Sequence, residues 1–145
     1  MSFYETIEVK YFDPEMQKLE KHMNGDWIDL MSREEVTLHP GDSLLIPLGV
    51  AMKLPFGYEA IVAPRSSTFK RYGILMSNSI GVIDNSYCGD MDEWKFPAYA
   101  TKEITIPKYT RICQFRILQN QPTIDFKEVR NLSDKSRGGF GSTGQ

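Results

Sequence analysis

The segment APRSSTFKRYG, residues 63 to 73, groups residue types that bind anionic oxygens. Arg65 is followed by the hydroxyl side chains of Ser66 and Ser67, and two further cations come shortly after them. A guanidinium fork beside hydroxyls and free backbone N–H groups suits a phosphate chain. A turn with solvated basic side chains is the simpler interpretation, and this short motif, taken by itself, favours it.

The segment GVIDNSYCGD, residues 81 to 90, supplies a carboxylate in a setting that suits catalysis. Asp84 follows two β-branched residues between flanking glycines, which predicts a carboxylate at the rim of a sheet, in a hairpin or tight loop. Aspartate is ionised at neutral pH and can orient and deprotonate a water, while Tyr87 offers a flat wall to a sugar. The alternative is an Asx turn with a core tyrosine, and the segment alone favours that alternative.

Two further segments, DWIDLMS and RICQFRI, add Asp29 and Gln114. Alternation along RICQFRI predicts two faces, with Arg111, Cys113 and Phe115 on one and Ile112, Gln114 and Arg116 on the other. A strand with polar groups on both faces does more than cover a core, although an exposed edge explains the pattern as well.

The chain ends in SRGGFGSTGQ, residues 136 to 145, in which four of the ten residues are glycine. Glycines let the backbone approach a ligand closely, and consecutive N–H groups can cradle anionic oxygens. Arg137 adds a charge, Phe140 can stack on a base, and Ser142 and Thr143 add hydroxyls. A disordered terminus is the simple alternative, but it does not explain an arginine and an aromatic ring among the glycines.

These segments need a scaffold, and the sequence predicts one made almost entirely of strands. Short apolar blocks separated by Gly, Pro, Asn and Asp are typical of a sandwich, jelly roll or barrel. The predicted strands lie in FYETIEVKYF, DWIDLMS, EVTLH, SLLIPLGVAMKL, YEAIVAP, GILMSNSIGVI, WKFPAYA, KEITI, RICQFRIL and TIDFKEV. One helix is predicted over residues 14 to 23, with Asp13 as its cap. Met16, Leu19 and Met23 would form its apolar face.

The whole chain has 145 residues, of which 41% are hydrophobic and 25% charged, as expected of one folded domain. A net charge of −2 gives no support to binding of a nucleic-acid polymer. No apolar run is long enough to cross a membrane, and the first residues do not resemble a signal peptide. Cys88 and Cys113 lack metal-ligand spacing, so reduced thiols in a cytoplasmic protein are expected.

Five segments in order, DWIDL, PRSS, GVIDNSYCGD, RICQF and RGGFGSTG, resemble the five motifs of the trimeric dUTPase family, the deoxyuridine 5'-triphosphate nucleotidohydrolases. The resemblance implies an all-β, jelly-roll-like subunit with one short helix and a flexible C-terminal arm. Residues 1–132 would form the β domain, and residues 133–145 the glycine-rich arm that closes an active site. It also implies a homotrimer with active sites at subunit interfaces, and hydrolysis of dUTP to dUMP and pyrophosphate with Mg²⁺.

The resemblance also implies a role for each matching residue. Asp84 would position the nucleophilic water, and Asp29 would hold hydrated Mg²⁺ through water. The phosphates would be bound by Arg65, Ser66, Ser67 and Gln114, and the outer phosphates by Arg137, Ser142 and Thr143. The backbone of the segment that contains Asn78, Gly81, Val82 and Ile83 would read uracil. Tyr87 would pack on the deoxyribose, and the arm, with Phe140 and Gly141, would close over the base.

Three features depart from the family pattern. Arg137 stands directly before the Gly-Gly-Phe of the arm, while Lys135 takes the register of the usual arginine. Ser67 replaces a common glycine, and DMDEW and the predicted helix look like additions. Two alternatives stay open: a dCTP deaminase-like enzyme of the same fold, which would need a glutamate placed for attack at the base, and a regulatory nucleotide-binding protein that acts through a partner.

Overall fold

The structure, a computed structural model, describes residues 4–133 and 135–139. Over those residues the chain forms eleven strands and one helix of five residues, so the predicted all-β class with one short helix is confirmed. The elements are β1 Glu8–Tyr11, β2 Ile28–Met31, β3 Val36–Leu38, β4 Ser43–Pro47, β5 Val50–Lys53, β6 Tyr58–Pro64, α1 Thr68–Tyr72, β7 Ile74–Met76, β8 Gly81–Ile83, β9 Lys95–Ala100, β10 Ile104–Ile106 and β11 Arg111–Gln119.

The strands pair in four antiparallel sheets. The largest has the order β2-β11-β6-β8, and a three-stranded sheet has the order β4-β9-β7. Two pairs, β1-β5 and β10-β3, complete the strand pairing of the described residues. The four-stranded sheet is the one that carries the predicted site residues, because three of the five motif segments form β2, β11 and β8 and a fourth follows β6.

Alternate residues of these strands point inward and form the hydrophobic core. In β9, for example, Phe96 and Ala98 are buried while Lys95 and Tyr99 face outward, as the period of a pleated strand requires. Trp94 is fully buried, and its ring meets that of Phe115 edge-on at 5.2 Å between centroids. Burial of each such large apolar side chain contributes about 1.5–3 kcal/mol to folding, so this layer stabilises the sheet that holds the site.

The helix predicted over residues 14–23 is wrong. A turn begins there, with the Met16 N–H donating to the Asp13 carbonyl at 3.1 Å, and the chain then runs on without helical structure. Met16 is buried as predicted, but Met23 is 99% exposed, so the two do not share an apolar face.

Tertiary contacts explain why the helix does not form. The Asp13 carboxylate accepts the Glu15 N–H at 2.9 Å, as a helix cap would, but its other oxygen accepts the Tyr109 hydroxyl at 2.6 Å, and the pKa of Asp13 is lowered mainly by that second bond. The Leu19 N–H donates to the Tyr11 hydroxyl at 2.9 Å instead of to a carbonyl four residues back. Contacts with distant strands therefore override the local helical pattern.

Three strand predictions also need correction. SLLIPLGVAMKL forms two strands, β4 and β5, which break at Leu48 and Gly49, and GILMSNSIGVI forms β7 and β8 around a turn. TIDFKEV forms no strand within the described chain, and Phe126 in its middle is 91% exposed. Its side chains are exposed and cover no sheet face of the described chain. Within the described ranges, no helix is long and apolar enough to span a membrane.

Candidate active site

One group of predicted site residues gathers where β2, β11 and β6 run side by side. The strand register places Asp29 opposite Gln114, and Gln114 opposite Ala63. Arg65 directly follows β6, and its Nε lies 3.2 Å from Oδ1 of Asp29. The Gln114 amide donates to the Pro64 carbonyl at 3.2 Å. The structure thus brings together two donor side chains and one carboxylate from three separate motifs. We call Asp29, Arg65 and Gln114 the phosphate cluster, after the role that was predicted for this group in binding the phosphates and their metal ion.

Thr68 fixes the turn from which Arg65 projects. Its hydroxyl is buried, accepts the Arg65 N–H at 2.9 Å and donates to the Ile112 carbonyl at 2.8 Å. Ser67 occupies the N-cap position of α1 with φ −93° and makes no cap hydrogen bond with its side chain. The backbone at this position therefore does not require a glycine, and serine in its place does not distort the turn.

A bulge in β11 corrects the predicted alternation of that strand. The pairing with β2 shifts between Arg111 and Cys113, and both Ile112 and Cys113 are fully buried. Cys113 and Phe115 share the core face as predicted, but Arg111 is exposed. One extra residue in a bulge turns the side chain before it to the other side. Arg111 Nη1 lies 3.9 Å from Oδ2 of Asp29, so this arginine faces the phosphate cluster.

A second group of predicted residues lies at β8, on the edge of the same sheet. β8 pairs with β6 on one side, with Gly81 opposite Val62 and Ile83 opposite Ala60. A Cβ at Gly81 would come within 3.2 Å of the Val62 Cβ, so glycine permits this close pairing. Val82 is 63% exposed. An edge strand leaves the N–H and C=O groups of alternate residues unpaired, and such groups can recognise a flat polar ring.

Asn78 belongs to the turn that joins β7 to β8. The turn is tight: the Ile80 N–H donates to the Asn78 carbonyl at 2.6 Å, and Ser79 has a positive φ of 63°. The Ser77 N–H donates to the Pro97 carbonyl at 2.9 Å, which fastens the turn to β9. Asn78 itself is exposed beside the start of β8.

Asp84 follows β8 directly, at the rim of the sheet as predicted. Its Oδ2 accepts hydrogen bonds from the Ser86 N–H, at 2.9 Å, and from the Ser86 hydroxyl. Both bonds stabilise the ionised carboxylate and hold the pKa of Asp84 below its ordinary value. The Asx-turn alternative is therefore correct in geometry, and the same turn keeps Asp84 charged and oriented.

Tyr87 is not a core residue. It is 38% exposed, and its hydroxyl donates to the Glu93 carbonyl at 2.9 Å. Partial burial, followed by the charges of Asp92 and Glu93, raises the pKa of Tyr87, so the hydroxyl stays protonated as a donor. The ring forms a wall of an open cavity of about 520 Å³, which we call the Asp84 cavity. Its lining residues are Leu45, Val82, Ile83, Asp84, Ser86, Tyr87, Glu93, Trp94 and Lys95.

The two groups do not meet within one chain. Ile83 pairs with Ala60 near the start of β6, whereas Arg65 follows the end of that strand. Asp84 is therefore separated from Arg65 by about six residues of β6, or roughly 20 Å at ~3.3 Å per residue. In agreement, Arg65 and Arg111 line another cavity, of about 660 Å³, together with Arg71.

Part of the predicted site belongs to the C-terminal arm. Arg137 is described and exposed. Phe140, Gly141, Ser142 and Thr143 lie outside the described residues.

The side chains near Asp29 can be compared with the ligands that Mg²⁺ prefers. Within the described part of the chain, no group of three or more His, Cys, Asp or Glu side chains could hold a metal ion. Asp29 offers one carboxylate, and Mg²⁺ characteristically binds one or two carboxylates together with waters and substrate phosphates. Asp29 therefore fits a hydrated ion that arrives with a phosphate chain.

Sequence reasoning missed two residues of the site. It singled out neither Ser86 as the partner of Asp84 nor Glu93 as the partner of Tyr87. Ser86 carried a signal, because in an Asx turn, which was the alternative interpretation of this segment, the aspartate side chain hydrogen-bonds the backbone two residues on. The role of Glu93 depends on contacts with Arg33 and Gly49, far away in the sequence, and no local pattern indicates them.

Comparison with known proteins shows which family this chain resembles. A family model described as dUTPase matches residues 27–144. The SPbeta prophage-derived deoxyuridine 5'-triphosphate nucleotidohydrolase of Bacillus subtilis is 52% identical over 138 residues, which cover 95% of this chain and 97% of that protein.

Solved structures show the same fold at lower identity. The dUTPase of Staphylococcus bacteriophage 80alpha, solved with dUpNHpp, superposes with a TM-score of 0.78 at 22% identity, covering 98% of this chain and all of that one. The dUTPase of phage phi11 of S. aureus, whose structure concerns the coordination of a structural Mg(II) ion, has a TM-score of 0.73 at 20% identity and covers 88% of this chain and 98% of that one. These structural likenesses confirm the jelly-roll-like fold class. Because the family model matches most of its length, the chain belongs to the dUTPase family.

Proposed function

We propose that this protein hydrolyses dUTP to dUMP and pyrophosphate, by attack of a water on the α-phosphate. The observation that carries the proposal is the setting of Asp84: an ionised carboxylate, oriented by Ser86, between an edge strand and the open face of Tyr87. A carboxylate held in this way can orient a water and accept its proton. Membership of the dUTPase family supports the same reaction.

The phosphate cluster binds the triphosphate. Arg65 and Gln114 supply donors beside the exposed hydroxyl residue Ser66 and the half-buried Ser67. The Arg65 guanidinium, which pairs with Asp29 in the free chain, can turn its remaining N–H groups to phosphate oxygens in the two-pronged geometry that favours arginine. These charge-assisted bonds hold the α-phosphate at the angle that in-line attack requires.

The edge of β8 and the ring of Tyr87 recognise the nucleoside. Unpaired backbone groups from Asn78 to Ile83 hydrogen-bond the polar edge of uracil, and cytosine is rejected because it would leave buried donors and acceptors unpaired. The Tyr87 face packs on the deoxyribose and leaves no room for a 2'-hydroxyl. Specificity for both base and sugar therefore comes from one short stretch of backbone and one ring.

Mg²⁺ binds with the substrate in this proposal. Asp29 would hold the ion through water, since Mg²⁺ binds one or two carboxylates and keeps several of its waters. The ion would neutralise charge on the triphosphate and polarise its phosphoryl oxygens. The Mg(II) ion described for the phage phi11 relative supports metal binding in the family, although that ion is called structural.

Each active site combines residues of more than one chain. The separation of Asp84 from Arg65 within one chain, roughly 20 Å along β6, prevents both from serving one α-phosphate. A second copy brings its own Asp84 cavity to the phosphate cluster of the first. A homotrimer, with three equivalent sites at its interfaces, satisfies this requirement with closed symmetry.

The C-terminal arm completes the site. Exposed apolar side chains at Ile124, Phe126 and Leu132 precede it, which suits a segment that packs on a neighbouring subunit. In the arm, Arg137, Ser142 and Thr143 would bind the outer phosphates, and Phe140 and Gly141 would close over the uracil. Closure excludes water and strengthens the electrostatic contacts inside.

The geometry disfavours the deaminase alternative. The glutamate that lines the Asp84 cavity is Glu93, and both of its carboxylate oxygens are engaged by Arg33 or by the Gly49 N–H. A glutamate held in this way is not free to move protons at a base.

Incubation of the protein with dUTP, dCTP, dTTP and UTP in the presence of Mg²⁺ tests the proposal. Pyrophosphate and ammonia are measured for each nucleotide, and a parallel set with excess chelator tests the need for the ion. Pyrophosphate from dUTP, strongly preferred over the other three, is the expected result. Ammonia from dCTP would identify a deaminase, and binding without any product would favour the regulatory nucleotide-binding protein.

A further inference from the structure

We propose that Glu93 is a positioning residue for sugar specificity: through its ion pair with Arg33 it fixes the Tyr87 ring, and so sets the preference for deoxyribose over ribose. The inference rests on the proposed function, because it concerns the nucleotide in the Asp84 cavity. It also gives a role to the segment Asp90–Trp94, which the family motifs do not explain.

The Glu93 carboxylate is anchored at three points. The residue is only 7% exposed. Arg33 donates to it in a two-pronged contact, with Nε 2.8 Å from Oε2 and Nη2 3.2 Å from Oε1, and the Gly49 N–H donates to Oε2 at 2.8 Å. Charge-assisted bonds of this kind are short, directional and stronger than neutral ones, so the side chain has a single well-defined position.

The backbone at Glu93 is fixed as firmly as the side chain. The next residue, Trp94, is fully buried; its N–H donates to the Val50 carbonyl at 2.8 Å, and its carbonyl accepts the Leu48 N–H at 2.9 Å. The Glu93 carbonyl, which lies between these anchors, accepts the Tyr87 hydroxyl at 2.9 Å. The acceptor for the tyrosine is therefore part of the rigid core and not of a mobile surface.

Tyr87 is consequently held at both ends. Its N–H donates to the Asp84 carbonyl at 3.0 Å, and its hydroxyl is bound to Glu93. Only the ring face remains open to the cavity. A ring held at both ends cannot swing away to admit one additional hydroxyl, whereas a ring held only at its backbone end can rotate about its side-chain torsions.

The chain between the two residues cannot replace this anchor. It forms a small closed turn, in which Gly89 and Asp92 bond each other through the Gly89 N–H at 2.8 Å and the Asp92 N–H at 3.1 Å. Met91 at its tip is 79% exposed. The turn is held to the body of the protein by the bond from Lys10 Nζ to the Asp90 carbonyl at 2.9 Å and, at its far end, by the Glu93 ion pair together with the backbone bonds of Trp94.

The test compares kcat/KM for dUTP with kcat/KM for UTP in the purified full-length wild type and five variants. Glu93→Gln keeps the shape of the side chain and removes its charge, and Tyr87→Phe keeps the ring and removes its bond to Glu93. Glu103→Gln is the matched control, since Glu103 is a highly exposed glutamate whose partner is His39. Circular dichroism shows whether each variant is folded, and native mass spectrometry shows whether it has the same oligomeric state as the wild type.

The expected result is a fall in the dUTP-to-UTP ratio of about tenfold or more for Glu93→Gln and Tyr87→Phe, the scale on which a shaped pocket rejects one extra group. The fall should come mainly from faster UTP turnover, and Arg33→Lys, which keeps the charge, should recover part of the ratio relative to Arg33→Met. Glu103→Gln should match the wild type. A purely structural role for Glu93 would lower both turnovers together and leave the ratio unchanged.

An unchanged ratio in folded Glu93→Gln overturns the inference, and if that variant does not fold, an unchanged ratio in Tyr87→Phe overturns it in the same way. Neither result affects the proposed function, provided that the wild type hydrolyses dUTP. A wild-type protein that does not turn over dUTP would overturn the proposed function and this inference together.

Discussion

Asp84 is oriented, and its ionised form further stabilised, by a residue only two positions away. The Ser86 hydroxyl and N–H both donate to one of its oxygens, which lowers the pKa and leaves the other oxygen for a water. Replacing the carboxylate by an amide removes the proton acceptor while the turn keeps its donors and its shape. We expect Asp84→Asn to lower kcat by about 10²-fold or more, as loss of a general base does. A steady-state assay with dUTP measures the loss, and an Asp84→Asn protein with wild-type turnover would remove Asp84 from the proposed role.

The Ser86 hydroxyl should set the acid limit of activity. The bond from Ser86 favours the ionised carboxylate, so Ser86→Ala raises the pKa of Asp84 toward its ordinary value. The carboxylate is then protonated at a higher pH as the solution is acidified. The acid limb of kcat/KM against pH should therefore move to higher pH in the variant, with the same substrate and buffer series used for both proteins. An acid limb that stays in place would mean that another group controls it.

At this scale the sequence singled out candidate site residues but not the contacts that hold them in place. Asp84, Arg65 and Gln114 were predicted from short motifs, because each lies within a few residues of its distinguishing neighbours. The anchor of Tyr87 was not found, because Glu93 and Arg33 are far apart in the chain and meet only after the sheets have formed. Ion pairs of that kind follow from the tertiary fold and leave no periodic pattern.

Among the elements, the segment between β1 and β2 shows where local pattern fails. Helical spacing of Met16, Leu19 and Met23 predicted a helix, yet the segment is held by tertiary bonds to Tyr109 and Tyr11. Most strands were predicted correctly, since alternation along a half-buried strand is a direct consequence of the pleat. The bulge in β11 was not predictable from alternation, because a bulge is an extra residue that breaks the period.

Gly49 separates β4 from β5 and should be among the residues that tolerate substitution least. It has φ +76°, and a Cβ there would overlap the sulfur of Met16. Gly49→Ala should lower the free energy of unfolding by more than about 1–3 kcal/mol, the cost of the left-handed conformation alone. The matched control is Gly41→Ala, which has φ +88° and nothing within 4 Å of the added carbon. Urea denaturation of both variants measures the difference, and equal losses would contradict the predicted overlap.

For the whole molecule, the proposed mechanism depends on the distance between two groups of candidate residues in one chain. Asp84 lies beside the start of β6 and Arg65 follows its end, so in this proposal one chain contributes to two different sites, one at each end of the strand. The five sequence motifs, found in the right order, identify the family, but they do not show that Asp84 and Arg65 are far apart within one chain. It follows from the antiparallel pairing of β8 with β6, which the strand pattern could not supply.

The C-terminal arm should be needed for catalysis and not for folding. Deleting residues 135–145 removes no residue of the described core, so the thermal unfolding midpoint should change by at most a few degrees. Turnover of dUTP should fall by about 10²-fold or more, the scale of losing oriented donors around a developing charge. Differential scanning calorimetry and the pyrophosphate assay are the two measurements. Full activity in the shortened chain would show that the arm does not close the site.

The central claim is that one catalytic centre takes Asp84 from one chain and Arg65 from another, and a complementation experiment tests it most directly. Asp84→Asn and Arg65→Gln chains, each nearly inactive, are co-expressed in equal amounts and the mixed assemblies are assayed with dUTP. Random mixing should restore about a quarter of the sites, since each site draws its two residues from different subunits. Recovery toward that level is the predicted result; mixed assemblies no more active than the two parents would show that each chain builds its site alone.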